Sequence, residues 1–316
     1  MNHIKTEDMS NIFVQGSYAY IGKRGLMIVQ DISDPTHPTY TSQIALPIFV
    51  EDIYVSSGYA YVITSGSCAE GDMKDCITLR VLDVSDPSAP SQIGGYTWPM
   101  SEQMPWAISV AAVGHAVYVA DASRSLMVLD VSDPANPLEV SPQDENTWDE
   151  HTWDVAIAGD RAYVLYTHGW NSHWRLRVLD ISTPTAPVEI GLSPLVYDEP
   201  SYALNLKVAG DQAYVTDVPG LHIMDISNPG APVEVGFYVS SKLWAATRSM
   251  AVANGYVYVF GLALGIQILD VSNPTAPVEV GLYDLQDMII EDIAVVNDYV
   301  YVLSATDGLY ILRHVK

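Results

Sequence analysis

The sequence predicts an all-β fold, a seven-bladed β-propeller of four-stranded antiparallel blades, and three observations carry that prediction. A phrase of the form DxSxP recurs six times, at Asp31, Asp83, Asp130, Asp180, Asp225 and Asp270. A Gly or Asn turn followed by a short aromatic strand recurs seven times, from GSYAYI (16–21) to NDYVYV (297–302). Successive phrases lie about 45 to 52 residues apart, and no stretch between them has helical periodicity; radial repetition of four-stranded units fits this better than a sandwich or a solenoid.

Residues 154–191 justify the four strands in order. DVAIA (154–158) alternates apolar and small residues, Gly159-Asp160 supplies a hairpin turn with φ > 0, and RAYVLY returns. LRVLDIS (176–182) is the third strand. Pro184 and Pro187 cannot donate to a ladder, so the fourth strand, PVEIG (187–191), belongs at an outer edge with Glu189 turned outward. The phrase between the third and fourth strands is an outer corner: its Asp caps the turn by accepting from a backbone N–H two residues on, and its Pro presets φ. Inner strands are expected to begin near Asn11, Asp52, Val110, Asp154, Asn205, Met250 and Asp292. The last blade ends at LYILRHVK without a corner, so its fourth strand must come from elsewhere. The N-terminus is the natural donor, and because only His3 to Glu7 precede the first inner strand the closure is expected to be short.

The third strands LMIVQD (26–31), LRVLD (79–83), LMVLD (126–130), LRVLD (176–180), LHIMD (221–225) and IQILD (266–270), each leading into DxSxP, resemble the LVIVD repeat over nearly the whole chain. The resemblance implies a propeller of a kind found mostly among bacterial and archaeal surface or secreted proteins. It implies no single activity and supplies no catalytic residue, because the matching positions are corner and core.

One ring absorbs residues 1–316 as a single domain; no linker or low-complexity run interrupts it. A formal net charge of −24 opposes binding to nucleic acid or to an anionic membrane, and Arg161, Arg175, Lys242 and Arg248 are too scattered to make a basic patch. No apolar run is long enough to span a bilayer, and no signal-peptide pattern is present. Cys68 and Cys76 share one polar loop, where a disulfide would point to an oxidising compartment and two free thiols would not. The expectation is a monomer at the cell surface or outside the cell.

Chemistry is expected where loops depart from the period. Two enlarged loops of blade 4, 141–154 and 166–176, hold Trp148, Trp153, Trp170 and Trp174, four of seven tryptophans, together with His151, His168 and His173, three of eight histidines. Neighbouring connections add Trp98 and Trp106, Tyr202, Trp244 and Arg248. Such an aromatic bowl suits a small neutral or sugar-like ligand, although the same tryptophans could instead pack long loops against the ring. If the protein is an enzyme, His151, His168 or His173 beside Asp154 would move a proton in a lyase or hydrolase. The spacings match no transition-metal signature, and no serine-hydrolase or nucleotide-binding motif occurs. A second constellation, Asn11, Asp52, Ser109, Asp154, Asn205, Ser249 and Asp292, starts the seven inner strands. It should ring the top of the central channel, where three carboxylates could hold Ca²⁺ or order channel water.

Overall fold

The computed structural model describes residues 2–4, 8–46, 49–67, 75–100, 108–122, 125–141, 150–168, 173–195, 205–217, 220–239, 247–261, 265–285 and 288–313. These form seven sheets of four antiparallel strands with no helix among them. The inner strands of consecutive blades pack side by side, and the inner strand of blade 7 packs back onto that of blade 1, so the ring is closed.

Each sheet is covered on both faces by its neighbours, and the apolar interior is accordingly divided into seven layers, one per seam. Tyr163, Leu165 and Trp174 of blade 4, for example, pack with Leu206, Val215 and Met224 of blade 5. Met9, Ile12 and Ile21 of blade 1 pack with Tyr301, Leu303 and Leu309 of blade 7. The expected hairpin turn is present, with Gly159 at φ 57°.

The outer corners are built as their sequence predicts. The backbone N–H of Ser33, Ser85, Ser132, Ser182, Ser227 and Ser272 donates to the carboxylate two residues before it, at 2.8 to 2.9 Å. Hydrogen bonds from the side-chain hydroxyl and the backbone N–H of the same serines hold Asp31, Asp83, Asp130, Asp180, Asp225 and Asp270 below the usual carboxylate range. The corner also docks on the preceding blade. A Cβ built on Gly94, Gly191 or Gly236 would lie 2.1, 1.9 and 1.9 Å from the carbonyl oxygen of Pro134, Pro229 and Pro274 respectively. In blade 1 the equivalent Ser42 instead donates its hydroxyl to the Pro87 carbonyl at 2.6 Å. The glycine that ends PVEVG is therefore a seat for the next blade's proline.

Two features differ from expectation. Six inner strands start earlier than predicted: Met9–Gln15, Phe49–Ser56, Ile108–Val113, Glu150–Ala158, Thr247–Ala253 and Ile290–Val296. In all of these but Ile108–Val113 a β-bulge immediately precedes the polar residue, so pairing continues through a break in the alternation that reads as a strand end. The closing strand is Asn2–Ile4, which pairs antiparallel with Leu309–Ile311; the closure is short, and it begins one residue before the predicted segment.

Candidate functional site

The polar residues at the head of the inner strands do ring the channel, and their first task is to clasp blades. Asp52 Oδ1 accepts from its own neighbour Ile53 N–H and Oδ2 from Val110 N–H of the next blade, both at 2.8 Å. Asp154 does the same with Val155 at 2.8 Å and Leu206 at 2.6 Å, and Asp292 with Ile293 and Ile12, both at 2.8 Å. Ser109 and Ser249 each donate from the blade before, to Asp154 and Asp292, at 2.6 Å. Asn11 donates to the Glu51 carbonyl of blade 2 at 2.6 Å, whereas Asn205 bonds Thr216 within its own blade at 3.3 Å.

Both oxygens of every ring carboxylate accept from a backbone N–H, one in its own strand and one in the next blade. Among the described residues no group of three or more His, Cys, Asp or Glu side chains is arranged to hold a metal. The charge in the middle is supplied by Lys207, two residues beyond Asn205 on the inner strand of blade 5, which interacts with Asp154, Asp52 and Asp292 and with Tyr54. Lys207 counts as exposed, but the surface it exposes is the channel wall. The enclosing protein desolvates it, and the three carboxylates more than offset this and raise its pKa. Desolvation pushes Asp52 up to about 7, against the pull of the Val110 N–H and Lys207, and raises Asp292 as well. At the same level of the neighbouring strands stand Phe13 and Tyr54, ring centroids 4.9 Å apart, with Ala111, Ala156, Ala251 and Ala294 elsewhere around the wall. In a ring of seven, blades 1 and 2 face blade 5, so the aromatic pair confronts the lysine across the lumen.

Asp52 makes the ring sensitive to pH in a defined direction. Its folded pKa lies above the ordinary 3.8, so its contribution to stability is full below about pH 4 and is lost as pH rises through about 7. Thermal midpoints measured from pH 5 to 8 should therefore fall in the parent relative to Asp52→Asn, which lacks this titration. Parallel profiles would refute the assignment.

Of the predicted blade-4 bowl, Trp153, Trp174, His151, His168 and His173 are among the described residues. Trp174 is 0% exposed, its indole N–H 3.2 Å from Asp217 Oδ2 of blade 5, so it joins two blades and cannot meet a ligand. Trp98 plays the same part between blades 2 and 3, donating to buried Asp121 at 3.0 Å. His151 is buried with Nδ1–H donated to the Ala122 carbonyl, and Asp154 is committed to its clasp, so the acid–base group is not brought together around Asp154. His168 is exposed and His173 half-buried. Trp153 and Arg248 are the extra residues of two bulges; the Trp153 indole donates to Thr167 Oγ1 at 3.1 Å. Trp106, Trp148, Trp170, Tyr202, Trp244 and Cys68 lie outside the described residues, as does the Arg248 side chain. Cys76 is disulfide-bonded, and the chain has two cysteines.

Sequence reasoning missed Lys207 and a buried cluster in blade 5. His222 Nε2 lies 3.0 Å from Asp217 Oδ1 and its Nδ1 3.5 Å from Glu234 Oε1. Its ring stacks on Phe237 at 4.3 Å and meets Trp174 edge-on at 5.2 Å. Burial lowers the His222 pKa, but the two carboxylates outweigh it and raise the pKa overall. Aligning the seven inner strands would have exposed Lys207 as the one charged residue at its level.

A family model described as the LVIVD repeat matches residues 8–45, 76–97, 106–144, 150–192, 200–240 and 246–285. The crystal structure of the computationally designed Ika8 protein is similar in fold at 10% identity, with a TM-score of 0.61 over 100% of this chain and 98% of that one. No curated protein matches the chain.

Proposed function

As the chain belongs to the LVIVD-repeat family, whose repeated positions are committed to scaffold, we propose that it is a binding module taking a small neutral, hydroxyl-bearing ligand in the central channel at its top mouth. The observation that carries this reading is Lys207: an ammonium exposed to the lumen, in electrostatic interaction with Asp52, Asp154 and Asp292 around the ring and facing Phe13 and Tyr54. A hydroxylated ligand can accept from the lysine, donate to carboxylate lone pairs and lay an apolar face on the aromatic pair. A polyanion would meet three carboxylates and a net charge of −24. The lumen lies inside one ring, so a monomer suffices. The Cys76 disulfide supports a secreted or cell-surface location.

A thermal-shift screen of neutral saccharides, polyols and small metabolites, followed by calorimetry, tests the proposal. Lys207→Met should weaken a hit about ten- to a hundredfold, the scale of a lost charged hydrogen bond, and Tyr54→Ala should weaken it further. A hit that binds both variants as it binds the parent would move the site away from the channel.

A further inference from the structure

The three ring carboxylates are not equivalent in what precedes them. Asp154 and Asp292 each receive a hydroxyl from the blade before, Ser109 and Ser249 donating at 2.6 Å. Asp52 receives none: among the described residues its donors are the N–H groups of Ile53 and Val110. The residue in the serine's place is Asn11, and its amide donates to the Glu51 carbonyl, one residue short of Asp52, at 2.6 Å. A carbonyl only accepts, so that bond fixes the amide with its NH₂ toward Glu51. The end left over is Oδ1, which is buried and has no hydrogen-bond partner among the described residues. Leaving a buried acceptor unpaired costs the full desolvation of that group.

One proton satisfies both the orphan acceptor and the carboxylate that lacks a side-chain donor. We propose that Asp52 is the proton switch of the lumen: neutral, it donates its O–H to Asn11 Oδ1, and ionised, it joins Asp154 and Asp292 as a third carboxylate drawing on the Lys207 ammonium. A protonated carboxyl has one donor and keeps acceptor capacity for the two N–H groups, so the clasp between blades 2 and 3 survives in both states.

The charged or titratable groups around Asp52 are Lys207 of blade 5, Asp154 of blade 4 and Asp292 of blade 7, with Tyr54 and Glu51 on its own strand. The Glu51 carboxylate accepts from the Ser65 hydroxyl. Burial places the change of state at about 7, against the Val110 N–H and Lys207, which favour the ionised form. The consequence for a ligand rests on the channel site proposed above. A hydroxyl accepting from Lys207 competes with two carboxylates below the transition and with three above it, so binding weakens as pH rises.

Carbon NMR of the full chain, labelled at the aspartate carboxyls and the lysine side chains, reads the switch without a ligand. One aspartate resonance should titrate near 7 in the parent and be absent from Asp52→Asn. Asn11→Ser supplies the hydroxyl donor that Asp154 and Asp292 already have, and should move that midpoint about one pH unit or more toward acid. The Lys207 Cε resonance, identified by its loss in Lys207→Met, should follow the same midpoint in the parent and lose that step in Asp52→Asn. Should Asp52→Asn fail to fold, the resonance that Asn11→Ser displaces identifies Asp52. No aspartate titrating near neutrality, a midpoint that Asn11→Ser leaves in place, or a Lys207 signal without the step overturns the proposal. A saccharide and polyol screen without a hit would count against the channel as a ligand site only, because none of these signals needs a ligand.

Discussion

Gly236→Ala should cost about 3 kcal/mol or more of unfolding free energy, the upper range of overpacking a fixed site, while Gly281→Ala should stay within about 1 kcal/mol of the parent. The two residues hold the same place in sequence, both ending PVEVG, and both lie in strands, where alanine on its own terms loses less conformational entropy than glycine. They differ in what stands opposite. At Gly236 the new methyl would sit 1.9 Å from the Pro274 carbonyl oxygen, a backbone atom held by its own turn; at Gly281 it would press at 3.3 Å on the flexible end of Ile268. Chemical denaturation of the pair measures the difference directly. Equal losses would mean that the corner does not bear on the seat.

His222→Leu should cost about 3 to 5 kcal/mol, because it strands the Asp217 carboxylate, 0% exposed, without its cation. Much of that loss comes from the orphaned charge and not from the imidazole, so adding Asp217→Asn should recover part of it, and the double variant should lose less than the sum of the singles. The sign with pH is fixed. A His222 pKa raised above 6.5 gives stability that is full below pH 6.5 and is lost as pH rises through the folded value. The gap between parent and His222→Leu should therefore be widest in mild acid.

The blade count, the corners and the polar ring were legible because each is written seven or nearly seven times, and repetition separates scaffold from accident. The ring's purpose was not: that Asp52, Asp154 and Asp292 each bridge two blades depends on where a neighbouring strand's N–H falls, which no spacing within one blade records. The tryptophans misled for a related reason. Trp174 and Trp98 depart from the repeat as a ligand contact would, but each spends its departure on a buried aspartate in the next blade, Asp217 and Asp121. Deviation from a period marks a residue with a private partner and leaves open whether that partner is a ligand or another blade. Lys207 was hidden the other way, inside a strand that keeps its period.

The short strand at Asn2–Ile4 also bears on how the chain reaches this state. Each blade buries both faces, and the layer between blades 1 and 7 joins Met9 and Ile12 to Tyr301 and Leu303, residues of the first and last blades. Until the last blade emerges, blade 1 holds one apolar face against water with nothing to cover it, and the contact that finally does so joins strands separated by all the intervening blades. Loop-closure entropy makes that step late and slow, so the nascent protein passes through an open arc whose two bare ends are complementary to each other and equally to those of any other arc nearby.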